Sequence, residues 1–231
     1  MDAVRALFFD VFGTCVDWRS GVIRDGESLG LDGVDWPAVA DAWRGAYQPQ
    51  LETVRNGSRP WVDLDVLHRE ALDALAPEHG LDGLEEGERA WLTRAWHRLD
   101  PWPDVVGGLT RLKRTHVIAP CSNGHVALVL AMAKRAGLPW DVILGAEVAG
   151  AYKPQPEAYL RSAALAGCAP GKVLMVAAHP SDLEAAAACG LRTAYVPRPD
   201  ERGTGAGAPP PPACADLVAG DFAQLAGVLG A

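Results

Sequence analysis

Short apolar runs alternate with helical stretches along most of the chain. The first run, at residues 6–9, ends at Asp10 and a glycine-containing turn. Later runs predict strands at 116–121, 141–144, 173–177 and 193–196, with helices at 126–136, 156–166 and 180–189 and a last strand and helix within 216–230. Continuous apolar runs are typical of parallel strands covered on both faces, so we expect an α/β fold with a doubly wound parallel sheet.

The alternation stops after the first strand and resumes near residue 100. Apolar residues at helical spacing mark three segments of this stretch: Val39, Trp43, Ala46, Tyr47, Leu51 and Val54; Leu67, Ala71 and Leu75; and Trp91, Leu92, Ala95, Trp96 and Leu99. The run Pro101-Trp102-Pro103 predicts a rigid connector without a helix. We therefore expect a core domain of residues 1–16 and 100–231, with a helical cap domain of residues 17–99 inserted after the first strand.

Composition and charge exclude several classes of protein. The chain has 231 residues, of which 49% are hydrophobic, and this is enough to bury a substantial core. A net charge of −8 gives no reason to expect nucleic acid or an anionic membrane as a partner. With neither a long apolar run nor a signal-peptide pattern, we expect a cytoplasmic protein. Five cysteines without a CxxC pair argue against a disulfide framework, and a homodimer stays open beside a monomer.

Asp10 follows a predicted strand, at the edge where open α/β sheets bind their ligands. The segment Asp10-Val11-Phe12-Gly13-Thr14 resembles the first motif of the haloacid dehalogenase superfamily, in which the first Asp is a nucleophile. At the position of Phe12, phosphatases of that superfamily carry a second Asp, and this Asp protonates the leaving alkoxide. Phe12 cannot transfer a proton, and a halide leaves without one. The chain thus resembles the 2-haloacid dehalogenase branch.

Two further segments match motifs of this superfamily. Ala119-Pro120-Cys121-Ser122-Asn123-Gly124 resembles the second motif, in which Ser and Asn bind substrate, although a helix cap and a turn explain the same residues. Lys153, in a KPxPxxY setting, resembles the Lys that pairs with the nucleophile, and the alternative is a solvated surface lysine. Tyr159 lies about two helical turns further along and is placed to donate a hydrogen bond into the site.

The fourth motif, at residues 173–182, departs from the phosphatase pattern. Phosphatases carry an acid at the position of Ala178 to hold Mg²⁺, so only Asp10 and Asp182 remain as carboxylates, a poor site for a hard cation. We expect no metal and no other cofactor. The Ala-Ala-His-Pro sequence resembles a subgroup of the dehalogenases, with Ser181 as a further departure. Two questions stay open. One is whether His179 lies in the site or in a structural turn, and the other is whether Asp182 caps the next helix or orients Lys153 or the hydrolytic water.

Arg44 lies on or beside the apolar stripe of its predicted helix, although most arginines on such helices are solvated. Trp43-Arg44 resembles the Arg-bearing cap helix of the family, where the Arg closes over the substrate. A partly buried Arg without a nearby acid requires an anion, and a halide or a substrate carboxylate serves.

Together these resemblances imply a hydrolase of L-2-haloalkanoates that forms an aspartyl ester on Asp10. They imply catalytic roles for Asp10, Thr14, Lys153 and Asp182, and substrate-binding roles for Phe12, Arg44, Ser122, Asn123, Tyr159 and His179. Three alternatives stay open: a Mg²⁺-dependent phosphatase of the same superfamily, a hydrolase of another small acid, and a non-catalytic binding protein. Halide release without metal, phosphate release with Mg²⁺, or an inert Asp10 would distinguish them.

Overall fold

Six parallel strands form the sheet that carries the site. The structure, a computed structural model, describes residues 4–231. In chain order the strands are β1 (Ala6–Phe9), β2 (Val16–Asp17), β3 (Asp100–Pro101), β4 (Val117–Ser122), β5 (Leu144–Gly145), β6 (Val173–Ala177), β7 (Arg192–Tyr195) and β8 (Leu217–Val218). The sheet has the order β5-β4-β1-β6-β7-β8 with every pairing parallel, while β2 and β3 form a separate antiparallel pair. This confirms the predicted α/β fold.

Helices fall into two groups along the chain. Between β2 and β3 lie α1 (Trp18–Glu27), α2 (Trp36–Arg55), α3 (Leu64–Leu75), α4 (Glu86–Thr93) and a 3₁₀ turn at Arg94–His97. The others are α5 (Val105–Leu112), α6 (Val126–Ala136), α7 (Ala146–Ala149), α8 (Pro156–Leu165), α9 (Pro180–Ala188) and α10 (Phe222–Val228), with a 3₁₀ turn at Pro170–Lys172. Among residues 4–231, no helix is both long and apolar enough to cross a membrane.

Strand β1 occupies a central position in the sheet, and all four of its residues are buried. Its last residue, Phe9, lies opposite Pro120 of β4 and Val176 of β6. The backbone N–H of Asp10 donates to the carbonyl of Val176 at 3.0 Å, which continues the pairing by one residue. Because the three strands are parallel and in register, the residues that follow them meet at one edge of the sheet.

The helical insertion, α1 to α4, is connected to the rest of the chain through the paired strands β2 and β3. Val16 pairs with Pro101 and Asp17 with Asp100, so the two ends of the insertion lie side by side. The Asp17 carboxylate also caps α1 by accepting the N–H of Ser20 at 3.0 Å. The short strand at Pro101 lies within the predicted rigid connector, which contains no helix.

Two predicted elements differ from the structure. The helix expected through Leu99 ends at Thr93 and continues as a 3₁₀ turn, in which Trp96 is buried and stacks on His68 with ring centroids 4.4 Å apart. The strand expected at 141–144 begins only at Leu144, because the Asp141 carboxylate accepts the N–H of Ile118 at 2.9 Å. In both places a tertiary contact overrides local propensity.

Candidate active site

A cavity of about 940 Å³ lies at the carboxyl edge of the sheet, with α2 on its opposite side. Eight of the residues singled out in the sequence line it: Asp10, Phe12, Arg44, Asn123, Lys153, Tyr159, His179 and Asp182. The remaining two, Thr14 and Ser122, have no exposed surface. The topology therefore brings together side chains that are far apart in sequence, such as Asp10 and Asp182, which are separated by 172 positions.

Asp10 is buried and has a different set of partners on each carboxylate oxygen. Its Oδ1 accepts a hydrogen bond from Lys153 Nζ at 3.0 Å. Its Oδ2 accepts from Thr14 Oγ1 at 2.8 Å and lies 2.9 Å from Nδ1 of His179. Burial opposes ionisation, but the Lys153 ammonium, His179 and Thr14 together lower the pKa of Asp10 below its usual range. Asp10 is therefore a carboxylate at neutral pH.

Lys153 lies between two acids. Its ammonium contacts both Asp10 and Asp182, while the Tyr159 hydroxyl donates to the other oxygen of Asp182 at 2.5 Å. Burial alone would lower the pKa of Lys153, but Asp10 and Asp182 raise it well above its usual value. Burial raises the pKa of Asp182, against the opposing effect of Lys153. The arrangement fixes a positive charge beside Asp10.

His179 lies in the site, and its two ring nitrogens face two carboxylates. Nδ1 is 2.9 Å from Asp10 Oδ2, and Nε2 is 3.0 Å from both oxygens of Glu201. Burial alone would lower the pKa of His179, but hydrogen bonds to Asp10 and Glu201 outweigh it and raise the pKa to about 10. His179 is therefore an imidazolium at neutral pH.

Glu201 is a buried acid that sequence reasoning missed. Its Oε1 also accepts from Trp18 Nε1 at 3.0 Å, and it packs against the turn at Gly13. Gly13 has a φ of +84°, and a Cβ there would lie 2.2 Å from Glu201 Oε1. The glycine after Phe12 was a visible signal of a close approach, but nothing in the sequence identified the approaching residue.

Arg44 presents an unsatisfied donor. Its guanidinium lies over the ring of Tyr47, 4.4 Å from the centroid, and 5.4 Å from that of Trp18. Its buried Nη1 atom has no hydrogen-bond partner among the residues described. A buried cationic donor without a partner is costly, so this end of the cavity is suited to an anion.

Asn123 and Ser122 have different positions at the end of β4. The Asn123 side-chain oxygen accepts the backbone N–H of Lys153 at 2.7 Å, and its amide also hydrogen bonds with the Tyr47 hydroxyl. Ser122 Oγ accepts the N–H of Gly124 at 3.0 Å, which is the turn-capping geometry. Of these two, only Asn123 lines the cavity, so Ser122 does not contact the cavity in this structure.

The cysteines and carboxylates limit the chemistry of the site. Cys15 and Cys121 are buried, and burial raises the pKa of the Cys121 thiol to about 12, which leaves no thiolate for catalysis. A Mg²⁺ ion requires several oxygen ligands, whereas the Lys153 ammonium already lies between Asp10 and Asp182 and Ala178 provides no ligand. The donor set does not fit a hard divalent cation.

The charge on His179 predicts a pH dependence of stability. Because folding raises its pKa from 6.5 to about 10, its ion pairs stabilise the protein fully below about pH 6.5. This contribution is lost as the pH rises from there towards about 10. Relative to His179→Asn, the wild-type excess in the free energy of unfolding should decline over this range in urea titrations. An excess that grew with pH would contradict the assignment.

This fold and this arrangement of Asp10, Lys153 and Asp182 match a known class of protein. The chain belongs to the haloacid dehalogenase-like hydrolase family, whose model matches residues 4–190. It is 30% identical to (S)-2-haloacid dehalogenase 4A of Burkholderia cepacia over 203 residues, which cover 86% of this chain and 85% of the relative. It is 28% identical to haloacetate dehalogenase H-2 of Moraxella sp. (strain B), covering 86% and 88% respectively.

Two solved structures resemble this one over nearly their full length. The defluorinating L-2-haloacid dehalogenase Rha0230 shares 47% identity with a TM-score of 0.93, covering 99% of this chain and 96% of that one. The L-2-haloacid dehalogenase PA0810 shares 44% identity with a TM-score of 0.93, covering 98% and 100%. Within the family, the chain is thus similar to enzymes that act on 2-haloacids.

Proposed function

We propose that this protein is a hydrolytic dehalogenase that converts L-2-haloalkanoates, such as haloacetates and 2-halopropionates, into 2-hydroxy acids and halide. One observation carries the proposal: a buried Asp10 carboxylate faces a cavity that also holds an unpartnered Arg44 donor, while Phe12 offers no proton for a leaving alkoxide. The 2-haloacid dehalogenases among its relatives support the same reaction class.

In the first step Asp10 displaces the halide. Oδ1 forms a bond to C2 of the haloacid, and the carbon–halogen bond breaks with its electron pair leaving on the halide. Arg44 and Asn123 donate to the departing halide and to the substrate carboxylate. Lys153 holds Oδ1 in place, so the geometry for attack exists before substrate binds. Attack from the side opposite the halide inverts C2 once and gives a D-2-hydroxy acid.

In the second step water hydrolyses the aspartyl ester at Cγ of Asp10. Asp182 orients Lys153 and the water, and its second oxygen is fixed by Tyr159. Phe12 forms an apolar wall, Thr14 fixes Oδ2, and Ser122 shapes the turn that carries Asn123. No step requires a metal.

The two groups of elements have separate tasks in this proposal. Residues 17–99 form a cap domain that supplies Arg44, and residues 1–16 and 100–231 form the core domain that supplies Asp10. The substrate is a small molecule, and neither nucleic acid nor membrane is a partner. A cytoplasmic location and a homodimer stay predictions.

Halide release by the purified protein tests this function. The substrates are L-2-chloropropionate, chloroacetate and fluoroacetate, the last because one similar enzyme is a defluorinating dehalogenase. We expect release from at least one of them with EDTA present. If none of them reacts while phosphate esters are hydrolysed with Mg²⁺, the phosphatase alternative replaces the proposal. If neither class reacts, a hydrolase of another small acid or a binding protein remains.

Arg44→Gln should lower kcat/KM by about 10- to 100-fold, because it removes a charged donor to the substrate. Arg44→Lys keeps the charge without the forked geometry and should have an intermediate effect. Steady-state halide release over a range of substrate concentrations measures both variants. Equal kcat/KM for wild type and Arg44→Gln would show that Arg44 does not contact substrate.

A further inference from the structure

His179 joins two buried carboxylates that belong to different parts of the chain. Asp10 follows β1, and Glu201 lies in the loop after β7. The ring is held at both nitrogens, and Trp18 fixes Glu201 from the other side. The Glu201 loop is itself anchored nearby, since Arg198 donates to the carbonyl of Thr14 at 2.9 Å. These contacts hold His179 in a single orientation toward the nucleophile.

Both nitrogens of His179 must be donors in this arrangement. An ionised carboxylate only accepts hydrogen bonds, so a neutral ring would direct a lone pair at either Asp10 or Glu201. Beyond these two acids, Lys153 pairs with Asp10, the charge of Arg44 acts on Glu201, and Arg202 lines the same cavity. Burial raises the pKa of Glu201, but the hydrogen bond and charge of His179, with smaller contributions from Trp18 and Arg44, together lower it, so Glu201 is ionised.

The two carboxylate oxygens of Asp10 have different hydrogen-bond partners and therefore different roles in the reaction. Oδ2 takes two donors, the Thr14 hydroxyl and the His179 ring, whereas Lys153 is the only donor to Oδ1 within residues 4–231. Oδ1 therefore has lone-pair capacity for attack on substrate. Oδ2 becomes the carbonyl oxygen of the ester and keeps its two donors.

We propose that His179 is a catalytic oxyanion donor in the hydrolysis of the aspartyl ester, and that Glu201 is the residue that positions and charges it. This inference rests on the proposed function, and it assigns a role to its second step. Glu201 does not touch the reacting atoms and acts through His179 alone.

The step balances as follows in atoms and charge. Water adds to Cγ, and the electron pair of the carbonyl bond moves onto Oδ2, where the imidazolium and Thr14 stabilise it. The pair then re-forms the carbonyl, and the bond from Cγ to Oδ1 breaks. Oδ1 leaves with the 2-hydroxy acid and takes one proton of the water. The other proton is released when the new Asp10 carboxyl group ionises.

Donors at Oδ2 favour the second step over the first. During halide displacement Asp10 loses its negative charge, whereas during water attack Oδ2 regains a full charge. An interaction that is stronger in the transition state than in the preceding ground state accelerates the reaction. The imidazolium meets this condition only in the hydrolysis step.

Glu201→Gln is the variant that separates the two steps. Glutamine keeps the size and the hydrogen-bond acceptor, but it removes the charge that holds His179 protonated once esterification has neutralised Asp10. Rapid-quench measurements with L-2-chloropropionate should show a burst of about one halide per enzyme, followed by turnover slowed at least about tenfold. The ester should then accumulate, visible as an increase in the mass of the intact protein. Glu86→Gln, at an exposed ion pair with Arg69, is the matched control and should behave as wild type.

The pH profile distinguishes a charged donor from a structural contact. Hydrolysis by Glu201→Gln should recover at lower pH, where the ring regains its proton, whereas His179→Asn, which cannot titrate, should stay slow at every pH. Equal slowing of burst and turnover, or no rescue at low pH, would overturn the inference, as would ester hydrolysis that speeds up as His179 loses its proton.

A measurement without substrate keeps this inference separate from the proposed function. NMR of the ring nitrogens should find His179 of the resting enzyme doubly protonated at pH about 8, well above the usual pKa of a histidine. A neutral ring there would overturn the inference even if halide is released. Absence of halide from the wild type would overturn the proposed function, and with it the hydrolysis step assigned to His179.

Discussion

Asp10→Asn should abolish halide release from L-2-chloropropionate, with a loss of at least about 1,000-fold in kcat. The amide has the size of the carboxylate, but it is uncharged and a poor nucleophile. It also cannot form the ester from which the product is released. The other carboxylates that line the cavity do not replace it, because Asp182 is held by Lys153 and Tyr159, and Asp41 and Glu52 are paired with Arg19 and Arg55. Both nearby thiols are protonated.

The loss of halide release in Asp10→Asn must come from the missing nucleophile and not from unfolding of the variant. Asp10→Asn leaves Lys153 paired with Asp182 and His179 paired with Glu201, so the fold should survive. Asp221→Asn is the matched control, because Asp221 does not line the cavity and Asn caps α10 as well as Asp does. Halide assays and thermal unfolding of both variants form the measurement. Residual turnover in Asp10→Asn close to that of wild type would place the nucleophile elsewhere.

The carboxyl-edge site was predictable because the sheet is regular. Apolar runs fixed where β1, β4 and β6 end, and parallel strands in register bring those ends together. Asp10 and Asn123 follow β1 and β4 directly, and His179 is the second residue after β6, so their convergence needed no knowledge of side-chain packing. What the sequence left open was the state of each group, since neighbours determine charge.

Glu201 and Trp18 show where prediction from sequence stops. Their hydrogen bond joins residues 183 positions apart, and the loop around Glu201 carries no periodic pattern. The helix α5 was missed for a different reason, because Gly107 and Gly108 weaken its local signal. Gly108 is required by packing, since a Cβ there would lie 2.5 Å from that of Phe222. Long-range contacts decide both cases.

The site has charges that alternate in space. Asp182, Lys153, Asp10, His179 and Glu201 form a row, buried except for the partly exposed His179, in which each charge contacts one of opposite sign. Asp10 stands at the centre and has a cation on either side. Esterification neutralises Asp10 alone. It leaves two ion pairs, Lys153 with Asp182 and His179 with Glu201, so neither cation is left without a carboxylate during catalysis. The row explains how Asp10 loses and regains its charge without reorganisation of its surroundings.

Lys153→Met should both destabilise the protein and abolish turnover. Removing one partner of a buried ion pair typically costs about 3–5 kcal/mol, and here it leaves Asp10 and Asp182 without the cation that lies between them. One of the two carboxyls should then take up a proton. Halide release should fall by at least about 100-fold, because Asp10 loses the ammonium that contributes most to its ionisation and that orients Oδ1 toward substrate.

The double variant Lys153→Met/Asp182→Asn separates stability from catalysis. It removes the second buried negative charge, so it should recover much of the free energy of unfolding lost in Lys153→Met. It should recover no activity, because Asp10 still lacks the ammonium that fixes Oδ1. Urea unfolding at neutral pH and halide assays on the single and double variants measure the two effects. Activity that returned together with stability would mean that Lys153 serves only to hold the fold, and that the ammonium is not needed to aim the nucleophile.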